Sequence, residues 1–181
     1  MQQMKTVKVL VCTLSLLCSS AAMAESLKEI DLKGEVIRFK IPTNWKEEYA
    51  KNGKGAFYED APDTGTLRVD VLTMEAPPDA KGNLPVLALS SLPDIDPQNI
   101  EILDNGNALA NEVERDDEQG TKWTLYWWHL ANYVPPNYVR IASFSYAILT
   151  SKENDRKTKE EIELLERQIK KAVFSPELLE Q

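Results

Sequence analysis

Apolar residues along this chain recur mostly at every second position, the period of a strand with one buried face. Thr66 to Met74 shows it most clearly. Leu67, Val69, Val71 and Thr73 share one face, Thr66, Arg68 and Asp70 the other, which predicts an antiparallel strand wet on one side. Upstream, Leu27 to Leu32 and Val36 to Ile41 are apolar-rich runs joined by Lys33-Gly34, a hairpin signal, and Pro42 marks the end of the second run. Asn44 to Tyr49 reads as a single helical turn capped by Asn44 or Thr43. Ala56 to Glu59 is a short strand, and Asp60 to Gly65 a turn by composition.

Residues 75–98 break the pattern. Pro77, Pro78, Pro85, Pro93 and Pro97 forbid a strand through this span. Leu84 to Leu92 leaves room for a short helix with Pro85 in its first turn. Ile100 to Leu103 is a brief strand, and Asp104-Asn105-Gly106-Asn107 a hairpin turn built on Asn-Gly. Ala108 to Arg115 alternates weakly and is highly charged, as suits a sheet edge, and Asp116 to Gly120 turns it back.

Thr121 to Val134 is apolar on both faces. Trp123, Leu125, Trp127, His129, Ala131 and Tyr133 lie on one, and Thr124, Tyr126, Trp128, Leu130 and Val134 on the other. Such a strand is covered on both sides, or buries one face and offers the other to a ligand. Val134 to Asn137 is a loop, and Tyr138 to Thr150 returns as a second long strand, so these two form the centre of the sheet. The chain closes on a helix. Thr158 and Glu161 make a capping box, Ile162, Leu165, Ile169, Ala172 and Val173 an apolar stripe, and Pro176 ends the helix near Ser175. The fold class that follows is α+β: an antiparallel sheet of six to eight strands, a C-terminal helix packed on it, and a short helix near residues 84–92.

The first 24 residues stand apart. Lys5 and Lys8 precede an apolar stretch from Val9 to Leu17, and Ala22-Met23-Ala24 supplies a small-x-small cleavage pattern, so residues 1–24 read as a signal peptide cut before Glu25. The stretch is shorter than the roughly 20 residues of a membrane span, and charges interrupt every later apolar run, so no transmembrane anchor is expected. Cys18 would take a lipid only behind a small residue, and Leu17 stands there. Residues 25–181 form a single domain without cysteine, because Cys12 and Cys18 both lie in the leader. An exported domain without disulfides points to a bacterial periplasm.

The leader holds two of the 21 basic residues and none of the 29 acidic ones, leaving 19 against 29 in the rest. That excess of acid excludes nucleic acid and anionic lipid as partners and suits a basic one.

Candidate chemistry is sparse. His129 is the only histidine, so a histidine-built metal site is not expected. Its ordinary reading is a packed strand residue, and beside a carboxylate it would serve as a general base. Glu112, Glu114, Asp116, Asp117 and Glu118 match no calcium loop and read as a solvated edge. The seven glycines form no phosphate-cradling loop. No catalytic set, metal site or cofactor is assigned. Aromatics are the unusual resource, with Trp123, Tyr126, Trp127, Trp128, Tyr133 and Tyr138 inside one short span. Tyr126 and Trp128 on one strand face, with Tyr133, Pro135, Pro136 and Tyr138 at the loop, form the candidate binding surface, Tyr and Trp being the commonest hot-spot residues.

Three features together resemble the PsbP-like fold, known from a photosystem extrinsic subunit, a nuclear Ran-binding protein and many bacterial exported proteins. They are Phe39-x-Ile41-Pro42-x-x-Trp45, the Gly55-to-Thr73 strand pair with Phe57-Tyr58 and Leu67-x-Val69-x-Val71, and a late strand pair leading through a helix to Val173-Phe174-Ser175. The resemblance spans nearly all of residues 25–181, departs at the proline-rich 75–98 connection, and implies a non-enzymatic binding module. The function expected is therefore a periplasmic binding or accessory protein acting by protein contact without a cofactor, one form of which is an immunity protein against a basic toxin. Two alternatives stay open: a small hydrolase using carboxylates and His129, and a small-molecule or glycan carrier with a groove beside Trp128.

Overall fold

A computed structural model describes residues 26–32, 34, 36–77 and 79–176. The expected signal peptide, its cleavage site and both cysteines lie outside the described residues, as do Lys33 of the first turn and Pro78. Among the described residues no helix is long and apolar enough to cross a membrane.

Among the described residues ten strands form two sheets, and two α-helices pack on them. The first strands, β1 (Leu27–Leu32) and β2 (Ile37–Pro42), make the expected hairpin. Then come β3 (Lys46–Tyr49), β4 (Gly55–Tyr58), β5 (Thr66–Glu75), α1 (Leu84–Ser90), β6 (Glu101–Ile102), β7 (Ala108–Glu118), β8 (Thr121–Val134), β9 (Tyr138–Leu149), α2 (Arg156–Ile169) and β10 (Val173–Phe174). Seven strands form the main sheet in the order β3-β4-β5-β9-β8-β7-β6, and β1-β2-β10 form a second, smaller one. All pairs are antiparallel, and β9 and β8 lie at the centre.

The core lies between the two sheets and α2. Ile30, Leu32, Ile37, Phe39 and Ile41 of the small sheet meet Phe57, Leu67, Val69, Trp128, Leu130, Phe144 and Tyr146 of the large one, with Leu165 and Ile169 of α2 closing the side. Phe39 sets its ring edge-on to Phe57 and Phe144, at centroid distances of 5.6 and 5.2 Å. Each such fully buried side chain contributes about 1.5–3 kcal/mol.

Several local expectations change. Lys46–Tyr49 is a strand, because a lone helical turn makes few hydrogen bonds for the dihedrals it fixes, whereas beside β4 these residues gain a ladder. The extended path also sends Trp45 into the core, where its indole stacks on Tyr146 at 6.0 Å. β7 runs on to Glu118, and the turn is only Gln119-Gly120, both with positive φ (53° and 85°), as a tight hairpin requires. Helix α2 begins at Arg156 with Asp155 as N-cap, so Thr158 is a buried first-turn residue and not the cap. It ends at Ile169, well before Pro176. The unpaired edge of β2 takes Val173 and Phe174 as β10, burying Phe174 and leaving Val173 exposed, so Val173 belongs to no helical stripe.

Tyr146 fastens these parts together. Its hydroxyl donates to Glu161 Oε2 of α2 at 2.5 Å, and its ring lies between Trp45 and Gly65. Burial, followed by the Glu161 charge, pushes the phenol above its ordinary range, so it stays a neutral donor. A Cβ on Gly65 would fall 2.2 Å from Tyr146 Cζ. Since stacking and hydrogen bonding both fix the ring, Gly65→Ala is expected to cost about 3 kcal/mol by overpacking. Urea unfolding checks this: the midpoint should fall while the slope stays unchanged.

Candidate functional site

The main sheet has two faces with different cover. The small sheet and α2 seal one. On the other, α1 and the loop after it pack Leu89 and Ile95 against Ala108, Ala110, Ala131, Val139 and Ile141, which closes one end only. At the other end the outward side chains of β8, Trp123, Leu125 and Trp127, stay half-buried. Next to Trp127 lies an open groove of about 560 Å³. Its floor is Trp127, Ser143, Ser145, Arg68 and Asp70, and its far wall is the β3–β4 hairpin around Glu48 to Ala50 and Lys54 to Ala56. Lys54 Nζ meets Asp70 Oδ2 at 2.9 Å on the exposed rim.

Strand register assembles the polar part. Ser143 of β9 stands directly between Asp70 of β5 and His129 of β8. His129 Nδ1 lies 2.9 Å from Ser143 Oγ, Nε2 lies 3.6 Å from Glu112 Oε1, and the imidazole stacks on Trp127 with 5.7 Å between centroids. Trp127 Nε1 donates to Glu114 Oε2 at 3.2 Å. His129 is 9 % exposed. Burial pushes its pKa below the ordinary 6.5, outweighing the Glu112 carboxylate that pulls the other way. The ring is therefore neutral at pH 7. A carboxylate only accepts hydrogen bonds, so the ring proton faces Glu112 and Nδ1 accepts from Ser143.

No family model matches the chain, and no curated protein does. Solved structures do. A protein from Bacteroides thetaiotaomicron VPI-5482 superposes with a TM-score of 0.54 at 19% identity, over 82% of this chain and 48% of that one, so the chain spans about half that protein's length. LpqN of Mycobacterium tuberculosis, a protein involved in cell envelope biogenesis, matches with a TM-score of 0.53 at 14% identity over 86% of this chain and 88% of its own. These two likenesses show a shared fold. PsbP of Synechocystis sp. PCC 6803 matches at 14% identity over 87% of this chain and 97% of its own, with a TM-score of 0.35, which carries no argument. At such identities a likeness is one of fold and assigns no site residue.

Within this fold the six expected binding residues separate. Trp128 is 3 % exposed, in the core with Leu165 and Ile169. Tyr126 is half-buried, stacks on Trp128 at 6.4 Å and packs near Ile162 of α2. Beside Trp128 there remains a groove of about 250 Å³, bounded by Val113, Tyr126 and the α2 residues Ile162 and Glu166, and a larger one adjoins Trp127 on the reverse face. Tyr133, Pro135, Pro136 and Tyr138 sit at the far end of β8, about 20 Å from Trp127 at the rise of a strand. There Tyr133 donates to Pro136 O at 2.5 Å, while Asn137 donates to Ala76 O at 2.7 Å. Tyr133, Pro135 and Pro136 are exposed and Tyr138 half-buried. Trp127, Ser143 and Ser145 were missed as site residues. Their signal is in β9, where Ser143, Ser145 and Ala147 alternate with the buried Phe144, Tyr146 and Ile148.

The depressed imidazole makes stability pH-dependent with a definite sign. The unfolded chain binds a proton near pH 6.5 that the folded chain refuses until lower pH, so the contribution is complete above about 6.5 and is lost as pH falls toward the folded value. Urea midpoints measured from neutral pH downward should decline in the native chain more steeply than in His129→Gln. In an NMR titration, Glu112→Gln should lower the His129 pKa further.

Proposed function

We propose that this chain is an exported binding or accessory protein of the bacterial cell envelope, acting by protein contact at the uncovered half of its sheet and without a cofactor. The observation that carries the reading is the groove beside Trp127, where half-buried aromatic surface of a central strand has no described helix over it. Aromatic surface rimmed by polar groups is the usual composition of an interaction site. Export rests on the leader-like residues 1–24, and an envelope setting also accords with the LpqN likeness. The exposed Tyr133–Tyr138 loop is a second contact zone, and the acidic balance favours a basic partner, as an immunity protein against a basic toxin would require.

Glu112, His129 and Ser143 follow one another as acid, base and hydroxyl, which gives the hydrolase alternative a specific geometry. An acyl transfer also needs donors for an oxyanion. Ser143 lies mid-strand between β5 and β8, its backbone committed to the ladder, and its cross-strand neighbour Asp70 would repel the developing charge. The trio therefore reads better as a polar relay in the wall of a binding site. A small-molecule or glycan carrier is the remaining alternative and would use the same groove.

Affinity capture from envelope extract with residues 25–181, run beside Trp127→Ala, tests the reading. A stoichiometric protein retained by the native chain and lost with Trp127→Ala supports it. Labelling of Ser143 by a fluorophosphonate, abolished by His129→Ala, would replace it with the hydrolase.

A further inference from the structure

Strand β7 is paired along its whole length on only one side. β8 accompanies it from Ala108 to Glu118, but β6 covers only Ala108 and Leu109. From Ala110 to Glu118 no described strand lies on the outer edge. The two-residue turn Gln119-Gly120 makes Glu118 and Thr121 a hydrogen-bonded pair. By antiparallel alternation, the even-numbered residues of β7 direct their N–H and C=O groups at β8, and Asn111, Val113, Arg115 and Asp117 direct theirs outward. The N–H of Asp117 is taken by Asp116 Oδ1 at 2.8 Å. Val113, an apolar residue on this edge, is 51 % exposed.

We propose that this edge, Ala110 to Asp117, receives an extended basic segment of a partner protein as an added strand. Three features select that occupant. The outward N–H and C=O groups of Asn111, Val113 and Arg115 match the ladder of another strand, the mode in which backbone supplies affinity and alternate side chains supply specificity. Glu112, Glu114 and Asp116 share one face at every second position, so an added strand meets them best with Lys or Arg at alternate positions. On the reverse face Arg115 is already matched by Glu153 Oε1 at 2.7 Å and leaves the apolar Val113 beside it. A second copy is disfavoured, because antiparallel self-pairing sets carboxylate against carboxylate. Charges on an edge commonly blunt aggregation. Here they have one sign on one face, which rejects the chain's own edge and admits a strand of opposite sign. The inference rests on the protein-binding reading above and gives the partner's chemistry.

The probe is a nine-residue peptide with lysine at alternate positions and valine or threonine between, set against one of the same composition with its lysines clustered. Calorimetry and amide exchange on residues 25–181 read the result. The alternating peptide should bind, slow exchange at Asn111, Val113 and Arg115, and bind less tightly as salt rises. Val113→Pro removes an outward N–H and leaves the β7–β8 ladder intact, so it should weaken binding by at least about tenfold. Glu114→Lys, on the exposed face, should do the same and decides the matter if Val113→Pro fails to fold. Equal binding of both peptides, undiminished binding by these variants, no binding of the alternating peptide, or a dimer formed through this edge would each overturn the proposal. Envelope capture separates the two levels. A partner lost with Trp127→Ala but kept by Val113→Pro and Glu114→Lys sinks strand addition and leaves the binding reading standing.

Discussion

The central pair β8–β9 carries large side chains on both faces, and a sheet of that kind is stable only with cover on both sides. One face has two layers of help. The small sheet brings Ile37, Phe39 and Ile41, and α2 brings Leu165 and Ile169, so Trp128, Phe144 and Tyr146 are dry. The other face has one seven-residue helix, α1, and the loop after it. They reach Ala131, Val139 and Ile141 and stop short of Trp127. The residues beyond that limit are chosen accordingly. Ser143, Ser145 and Ala147 are small and tolerate water, while Trp123, Leu125 and Trp127 are large and lose by exposure. A chain that needed only stability would have no reason to keep indoles there, which makes the uncovered half the part of the molecule whose composition calls for a partner.

Buried polar groups hold the two halves in register. Tyr146 joins β9 to Glu161 of α2 and rests on Trp45, so the position of α2 and the course of the chain into β3 depend on one phenol. Leaving either end of that hydrogen bond unmatched in the core would cost about 1–3 kcal/mol. His129 does the same on the outer face at a smaller scale. Its ring connects β7 through Glu112 to β9 through Ser143, at the boundary where α1 ends and the groove begins. Neutral and stacked on Trp127, it braces that indole from behind.

Much of this was legible without coordinates wherever one signal dominated. The alternation of Leu67, Val69 and Val71, the Asn105-Gly106 turn, Pro85 at the head of α1 and the full extent of Thr121–Val134 are local facts that the chain states in place. What was not legible depends on who pairs with whom. Lys46–Tyr49 has no alternation and becomes a strand only because β4 is beside it. Thr158 satisfies a capping box but is drawn inward, since Asp155 already starts the helix. Val173 continues an apolar stripe, yet the open edge of β2 captures it. The choice between Trp127 and Trp128 is the plainest case. Adjacent strand residues face opposite ways, and only the register that sets Trp127 against Ser145 and Trp128 against Phe144 says which is wet.

The open groove and the open edge are not independent features. Glu114 stands on the outer face of β7, where an added strand would place its basic side chains, and its carboxylate already accepts from Trp127 Nε1. Glu112, one alternate position away, contacts His129 Nε2, whose other nitrogen faces Ser143 in the groove floor. Any cation that draws these two carboxylates toward a new strand weakens what they give to the indole and the imidazole. Occupation of the edge would therefore act on the Trp127 and His129 side chains through these two carboxylates. Conversely, whatever seats itself on Trp127 would act on Glu114, its hydrogen-bond partner. Such reciprocity is what linkage demands of two sites that share a group, and it makes one extended surface, from the β3–β4 hairpin across β9 and β8 to the outer edge of β7, the unit that a partner would read.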